Sequence, residues 1–190
     1  RHNRVGRKKR RPVYVRLDTN ELWPRLSIVH QTRSQGQYLG PLAGRHQAEQ
    51  VIEALHTAFP IRRCTTHIGP RFVADPDATP CSAAQLGVAP CPCSGTADLG
   101  AHATAVEGVS QAMLGEQHAV VKTLSVRMSD LAMQQRFEEA AAVRDRLSSL
   151  LAATRTAQLV NAGMAAGTAR FTLAGVEHEM TDGLLNLQHL

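Results

Sequence analysis

The 190-residue sequence is poor in aromatic side chains and has no long apolar run. Aromatic residues make up 4% of the chain, and its many alanines favour closely packed helices over a core filled by large rings. No apolar segment approaches the roughly 20 residues that a membrane helix needs, and no apolar signal segment precedes the cysteines. We therefore expect a soluble, cytoplasmic protein that has no membrane partner.

The sequence also lacks the patterns of common catalytic sites. It contains no glycine-rich phosphate loop, no nucleophile elbow and no paired aspartates. Its histidines other than His67 are scattered without the spacing of metal ligands or of a catalytic triad. We expect them to be surface or packing residues, and we assign no catalytic residue to the chain.

Acidic residues are missing from the start of the chain, where the first one is Asp18. The preceding residues carry a dense set of cations, which can neutralise phosphates with little base specificity. The net charge of +5 agrees with an anionic partner, although charge runs are also typical of solvated tails. The predicted DNA-binding residues are Arg4, Arg7, Lys8, Lys9, Arg10, Arg11 and Arg16.

Paired Cys-x-x-Cys knuckles are missing too, although all four cysteines lie within 30 residues. Sixteen, nine and one residues separate them, unlike the ligands of a zinc ribbon. In a reduced cytoplasm, clustered thiolates hold a metal ion or an iron–sulfur centre, whereas isolated free cysteines are often just buried small side chains. His67 is a further candidate zinc ligand. The candidate metal ligands are Cys64, Cys81, Cys91 and Cys93.

The segment around these cysteines contains many prolines and glycines and little periodicity. A loop as long as residues 65–99 is unusual in a compact domain unless something organises it. A metal centre held by the four cysteines would provide that organisation, and the loop would then lose order without the metal.

The hydrophobic pattern predicts an α+β fold in four segments. We expect a small β-rich segment with one helix at 1–63, a cysteine-rich loop at 64–100, an alanine-rich helical hairpin at 101–162 and a short C-terminal β segment at 163–190.

Two of these segments contain predicted strands. Alternating apolar and polar residues at 12–17 and 25–30 predict two strands, and apolar residues spaced by three and four predict one helix from Gly44 to Phe59. Near the C-terminus, the residues that flank Ala174-Gly175 predict a β-hairpin.

The third segment has the pattern of two helices that fold back on each other with a break at 134–136. The apolar stripe of the second helix includes Phe137, Leu150 and Leu151. Such a hairpin cannot bury both stripes alone, so it needs the rest of the chain or a partner.

Three blocks follow one another along the chain in a specific order. The first is Pro24-Arg25-Leu26-Ser27-Ile28-Val29 followed by Gly36-Gln37-Tyr38-Leu39-Gly40-Pro41. The second is Phe59-Pro60-Ile61-Arg62-Arg63-Cys64 followed by Pro80-Cys81 and Pro92-Cys93, and the third is Arg136-Phe137-Glu138-Glu139-Ala140-Ala141-Ala142-Val143-Arg144-Asp145-Arg146-Leu147. Together they resemble the middle region of UvrC, the incision subunit of bacterial nucleotide excision repair, and of related actinobacterial exonuclease/UvrC-like fusion proteins.

The resemblance implies a role for each block. The start of the chain would be the trailing edge of a GIY-YIG nuclease domain, and the cysteines would bind a four-iron four-sulfur cluster, with zinc as the alternative. The family's third cysteine stands four residues before its fourth, where this chain has Ala89, and Cys91 lies two residues further on. The third block would be the UVR motif, a hairpin that engages UvrB. Its predicted partner-binding residues are Phe137, Glu138, Ala140, Ala141, Arg144 and Asp145.

Several interpretations of function stay open at this point. The chain is either an accessory, non-catalytic segment of a DNA-repair nuclease or a fragment of a longer working nuclease with exonuclease and GIY-YIG domains upstream of Arg1. The GIY-YIG catalytic residues are absent from it. A third interpretation is a zinc-stapled protein-interaction module that has no DNA role.

Overall fold

The N-terminal part of the chain forms a three-stranded antiparallel sheet. The computed structural model describes residues 11–69, 71–165, 168–173, 176–181 and 184–186. The first three strands are β1 (Val13–Leu17), β2 (Leu26–Val29) and β3 (Gln37–Leu42), in the spatial order β2-β1-β3. Because side chains alternate along a strand, the odd residues of β1 are buried and the even ones point outward. The two predicted strands are confirmed, and β3 is a third.

Helix α1 (Arg45–Ala58) packs against this sheet. Its apolar residues at helical spacing face inward, as predicted, and Ala48, Val51 and Leu55 are fully buried. The chain then passes Phe59, whose ring lies so close to a helix that follows later that a Cβ added at Gly108 would clash with it. Glycine at that position therefore allows the two elements to approach each other closely.

The cysteine-rich segment contains little regular structure. It holds one short helix, α2 (Ser82–Gln85), and a single 3₁₀ turn at Pro92–Ser94.

Three helices follow where two were predicted: α3 (Leu99–Leu114), α4 (His118–Met133) and α5 (Phe137–Ala165). The additional break comes at Gly115, whose φ of 117° ends α3 in the left-handed region. The break predicted at 134–136 is confirmed, and Gln135 there has a φ of 59°. Helices α4 and α5 pack on each other as a hairpin, and buried residues of α3, α4 and α5 join those of the sheet and α1 in one core.

Two residues of the predicted stripe on α5 are not buried. Phe137, the first residue of the helix, is 65% exposed, and Leu151 is 39% exposed. Consecutive helical residues point about 100° apart, so the fully buried Leu150 turns its neighbour Leu151 outward. Without these two residues, the core of the hairpin consists of the buried side chains of Val120, Leu124, Leu131, Val143, Leu150 and Ala153.

The C-terminal strands form a second antiparallel sheet in the order β4-β5-β6. They are β4 (Thr168–Leu173), β5 (Val176–Thr181) and β6 (Leu184–Asn186). The predicted hairpin is confirmed by the pairing of β4 with β5, while its turn at Ala174-Gly175 lies outside the described residues. Across the described ranges, none of the helices combines the length and the apolar character that crossing a bilayer requires. The α+β fold class is confirmed.

Candidate cysteine centre and cationic surfaces

A buried arginine anchors the start of the cysteine-rich segment. The Arg62 side chain is completely buried, and its Nη2 lies 2.9 Å from Oε2 of Glu21. Its Nη1 donates to the Thr66 carbonyl oxygen at 2.8 Å and lies 3.8 Å from Sγ of Cys64. Because a buried charge is tolerated only when it is paired and hydrogen-bonded, this arrangement ties the β1–β2 connection to the first cysteine.

A buried histidine holds the other end of the segment. His102, in the first turn of α3, donates from Nε2 to the Pro24 carbonyl oxygen at 3.1 Å, and its ring lies 5.0 Å from that of Trp23. Burial lowers the pKa of His102, and the charge of Arg62 lowers it further, against the opposing effect of the Pro24 bond. Asp98 caps α3 by accepting from the Ala101 amide. His102 is thus a packing residue.

Three of the cysteines are held in turns. The Cys81 carbonyl accepts from the amides of Ala84 and Gln85 as α2 begins. The Ser94 hydroxyl donates to the Cys91 carbonyl at 3.2 Å, and Cys91 immediately precedes the 3₁₀ turn. The Cys93 carbonyl accepts from the Asp75 amide at 2.9 Å, which closes the loop across eighteen residues of sequence.

The cysteines influence one another in pairs. Burial opposes ionisation of Cys91, but hydrogen bonding from the Cys81 and Ser94 amides and the Cys81 thiol lowers its pKa to about 7. Burial raises the pKa of Cys93, as do the adjacent thiols of Cys64 and Cys91. Each cysteine therefore influences the ionisation of at least one other, and the lowered pKa of Cys91 favours the thiolate form that metals bind.

These thiols do not form a closed site for one ion. Within the described ranges, no three His, Cys, Asp or Glu side chains are grouped tightly enough to hold a single metal ion. Zinc–sulfur bonds of 2.3 Å in tetrahedral geometry need sulfurs roughly 3.8 Å apart. The candidate ligand His67 is exposed.

Ala89, where the resemblance places the family's third cysteine, is buried and lines a cavity of about 240 Å³ beside Asp98, Ala101 and His102 at the start of α3. Cys91 is buried as well, and it lies beside Cys81 and Cys93.

The predicted basic surface is described only in part, because residues 4–10 lie outside the described residues. Arg11 and Arg16 line a groove of about 770 Å³ together with His30, Arg33 and Tyr38. Arg16 is paired with Asp18, and the Tyr38 hydroxyl accepts from the Arg33 amide at 3.1 Å. The sequence prediction missed Arg33, which follows β2 and comes beside β1 only through strand pairing.

The predicted partner-binding residues lie at the start of α5. Phe137, Glu138, Arg144 and Asp145 are exposed, whereas Ala140 and Ala141 are partly buried. Ala140 packs against the core. Arg144 pairs with its neighbour Asp145 at 2.8 Å, so this surface is polar around one exposed aromatic ring.

Comparison of the sequence with known protein families gives a match that spans several of these segments. A family model described as the UvrC/Cho excinuclease middle domain matches residues 13–112, which include the sheet, α1, the cysteine-rich segment and most of α3. The chain belongs to the UvrC family. No solved structure matches it.

Several curated relatives of this UvrC-family chain carry the name UvrABC system protein C. That of Moorella thermoacetica is 32% identical over 139 residues, covering 72% of this chain and 22% of the relative. That of Geobacter metallireducens is 28% identical over 169 residues, or 82% and 27% of the two chains. That of Nitratidesulfovibrio vulgaris is 31% identical over 152 residues, or 79% and 21%. The chain therefore spans between 21% and 27% of these relatives' length.

Proposed function

We propose that this chain is the UvrC-like segment of a bacterial nucleotide excision repair nuclease, where it contributes a cysteine-held cluster, a DNA contact and a docking hairpin. Support comes from the match to the excinuclease middle domain and from relatives named as components of the UvrABC system. We assign no incision step to these residues. A plasmid-nicking assay tests this assignment, because metal-dependent cleavage by the purified chain would overturn it.

The observations that support the cluster are the match of the whole cysteine-rich segment to the excinuclease middle domain and the pairwise proximity of its cysteines, Cys81 beside Cys91, and Cys64 and Cys91 beside Cys93. The donor set fits a four-iron four-sulfur cluster, whose irons each take one thiolate and whose ligands therefore spread more widely than those of one zinc ion. Cys64, Cys81, Cys91 and Cys93 would hold it, and Arg62 would place a positive charge beside the Cys64 sulfur. Bound, the cluster would supply four metal–thiolate crosslinks that order the segment.

Serine substitutions test this ligand set. We expect Cys91→Ser to lose most of the iron and sulfide after anaerobic reconstitution, because one of four ligands is removed. Adding Ala89→Cys to that variant should not restore the cluster, since Ala89 is buried and lines the cavity beside His102 at the start of α3. Ser82→Ala, an exposed change next to Cys81, is the control. Full retention of iron in Cys91→Ser, or rescue by Ala89→Cys, would show that Cys91 is not the ligand.

The basic N-terminal run supplies the proposed DNA contact. Each lost phosphate contact to single-stranded DNA lowers the slope of log affinity against log salt by about 0.7. Replacing Lys8 and Lys9 by glutamine should therefore reduce the slope by about 1.4. Absence of oligonucleotide binding by the unmodified chain at low salt would remove the DNA role and favour a zinc-stapled protein-interaction module.

The exposed ring of Phe137 is the proposed anchor for a UvrB-like protein, because interface energy concentrates on aromatic side chains. Phe137→Ala should weaken binding to purified UvrB by more than tenfold, which corresponds to about 1.4 kcal/mol. Leu159→Ala is a matched control on the same helix, where Leu159 is 57% exposed. Equal effects of the two variants would refute a specific role for the aromatic ring.

A further inference from the structure

A second cationic surface lies away from the basic N-terminal run, in a cleft between α1, the cysteine-rich segment, α4 and α5. It has a volume of about 370 Å³ and receives one arginine from each of three parts of the chain: Arg63 after α1, Arg127 on α4 and Arg146 on α5. Among the described residues, none of the three forms a salt bridge. Three arginines distant in sequence are thus brought to one cleft.

The acidic and neutral groups of the cleft do not cancel this charge. Glu53 is its single acidic lining residue, and a glutamate carboxyl of ordinary pKa is charged at neutral pH. Glu53 is therefore ionised, which leaves three guanidinium groups against one carboxylate. Like charges gathered this closely destabilise a fold unless an anion joins them.

Two side chains of the cleft have unused hydrogen-bonding capacity. Arg63 donates from Nη2 to the His56 carbonyl oxygen at 3.0 Å, but its buried Nε has no partner among the described residues. The His56 side chain is only 9% exposed, and neither of its ring nitrogens has a hydrogen-bond partner in the described part of the chain. Glu53 lies 3.9 Å from Nδ1, beyond hydrogen-bond distance.

The cleft continues into a neighbouring one. The two share Thr57 and Arg127, and the second, of about 390 Å³, is also lined by Asp130 and Arg136. Arg136 is already engaged by Glu139 at 2.6 Å. The two adjoining cavities therefore form one extended surface, with Arg63, Arg127 and Arg146 lining its first part. An extended surface of this kind can take a phosphate polymer such as a nucleic acid strand.

We infer that this arginine cleft, defined by Arg63, Arg127 and Arg146, binds backbone phosphates of DNA. Guanidinium groups present planar forks that match phosphate oxygens, and three elements of the fold place them at one site. The inference rests on the proposed DNA contact but not on the N-terminal run, because none of these arginines belongs to that run. DNA would then pass over the junction between the cysteine-rich segment and the α4–α5 hairpin.

The test is the salt dependence of binding of a short fluorescein-labelled single-stranded oligonucleotide to the full 190-residue chain. The double variant Arg127→Gln/Arg146→Gln should lower the slope of log affinity against log salt by about 1.4, two contacts at about 0.7 each. The control Arg71→Gln/Arg155→Gln removes the same charge from two exposed arginines that form no salt bridge among the described residues. Its slope should equal that of the unmodified chain.

Each other outcome overturns the inference. Equal slope losses in both double variants would show that only net charge matters, and an unchanged slope in the cleft variant would show that DNA does not reach the cleft. Loss of UvrB binding with unchanged DNA binding would mark a protein-facing surface. Inorganic phosphate can be titrated at constant ionic strength while NMR of the arginine side chains follows its binding to the cleft. If phosphate saturates the cleft and DNA binding is unchanged, the cleft is a free-phosphate site.

These outcomes are separable from failure of the proposed function. If the unmodified chain binds no oligonucleotide, the proposed DNA contact and this inference fail together. If the unmodified chain binds and only the N-terminal variant loses slope, this inference alone is wrong.

Discussion

Replacing Arg62 by methionine should destabilise the protein by about 3–5 kcal/mol, the usual cost of removing one partner of a buried ion pair. The Arg62 side chain is fully buried, and its loss leaves the Glu21 carboxylate, one-quarter exposed, without its cation. It also leaves the Thr66 carbonyl, which accepts at 2.8 Å, without its donor. Methionine retains much of the side-chain length, so the change removes mainly charge and hydrogen bonds.

A matched ion pair on the surface provides the control. Arg45 lies 2.8 Å from Glu49, nearly the same distance, but its side chain is 74% exposed and that of Glu49 is 48% exposed. Arg45→Met should therefore cost no more than about 0.5 kcal/mol. The difference between the two variants isolates the effect of burial from that of the charge pair.

Urea unfolding measures the free energy of unfolding of each variant, in the metal-free and in the metal-loaded form. The comparison holds provided that the m-value is the same in the variants. If Arg62→Met does not fold, Glu21→Gln supplies the same information, because it leaves the buried guanidinium facing a neutral amide. A loss below about 1 kcal/mol in either Arg62→Met or Glu21→Gln would refute the argument that this pair anchors the cysteine-rich segment.

Three further predictions concern stability. His102 has a lowered pKa in the fold, so as the pH falls below about 6.5 the unfolded chain takes up the proton before the folded chain does. The urea midpoint of the unmodified protein should therefore fall more steeply from neutral to acid pH than that of His102→Gln. Equal pH slopes of the two midpoints would disprove a buried neutral ring. Gly40→Ala should lower the free energy of unfolding by about 2–4 kcal/mol, because φ is +148° and the new Cβ would stand 2.9 Å from the Val13 carbonyl oxygen. The control Gly44→Ala has open space around the new Cβ and should lower it little. Similar losses in the two variants would contradict this. Phe137→Ala should change the free energy of unfolding by less than about 0.5 kcal/mol, since the ring is 65% exposed, and a loss above about 2 kcal/mol would show a buried ring.

Elements with strong local periodicity could be predicted from the sequence. The alternation in β1 and the three-and-four spacing in α1 correspond to the buried faces observed, because each pattern depends only on nearby residues. The break before Phe137 was predicted for the same reason. The break at Gly115 was missed, because a glycine within an alanine-rich pattern can also continue a helix.

Features that depend on distant contacts could not be predicted in the same way. An apolar stripe shows which side of a helix can be buried, but it does not show how wide a face the neighbouring helices cover. Leu151 lies at the edge of that face and was misassigned for this reason. Arg62 was visible in the sequence block before Cys64, yet arginine is rarely fully buried, and its partner Glu21 is 41 residues away. The arginine cleft combines residues from three elements and has no local signature.

The metal content of the chain after anaerobic purification is the decisive test of the proposed four-cysteine cluster. Iron, acid-labile sulfide and zinc should be measured on the same sample, together with the visible absorption spectrum. We expect about four iron and about four sulfide per chain, with little zinc. About one zinc per chain without sulfide, or a metal-free chain whose cysteine-rich segment keeps its hydrogen-exchange protection, would contradict it.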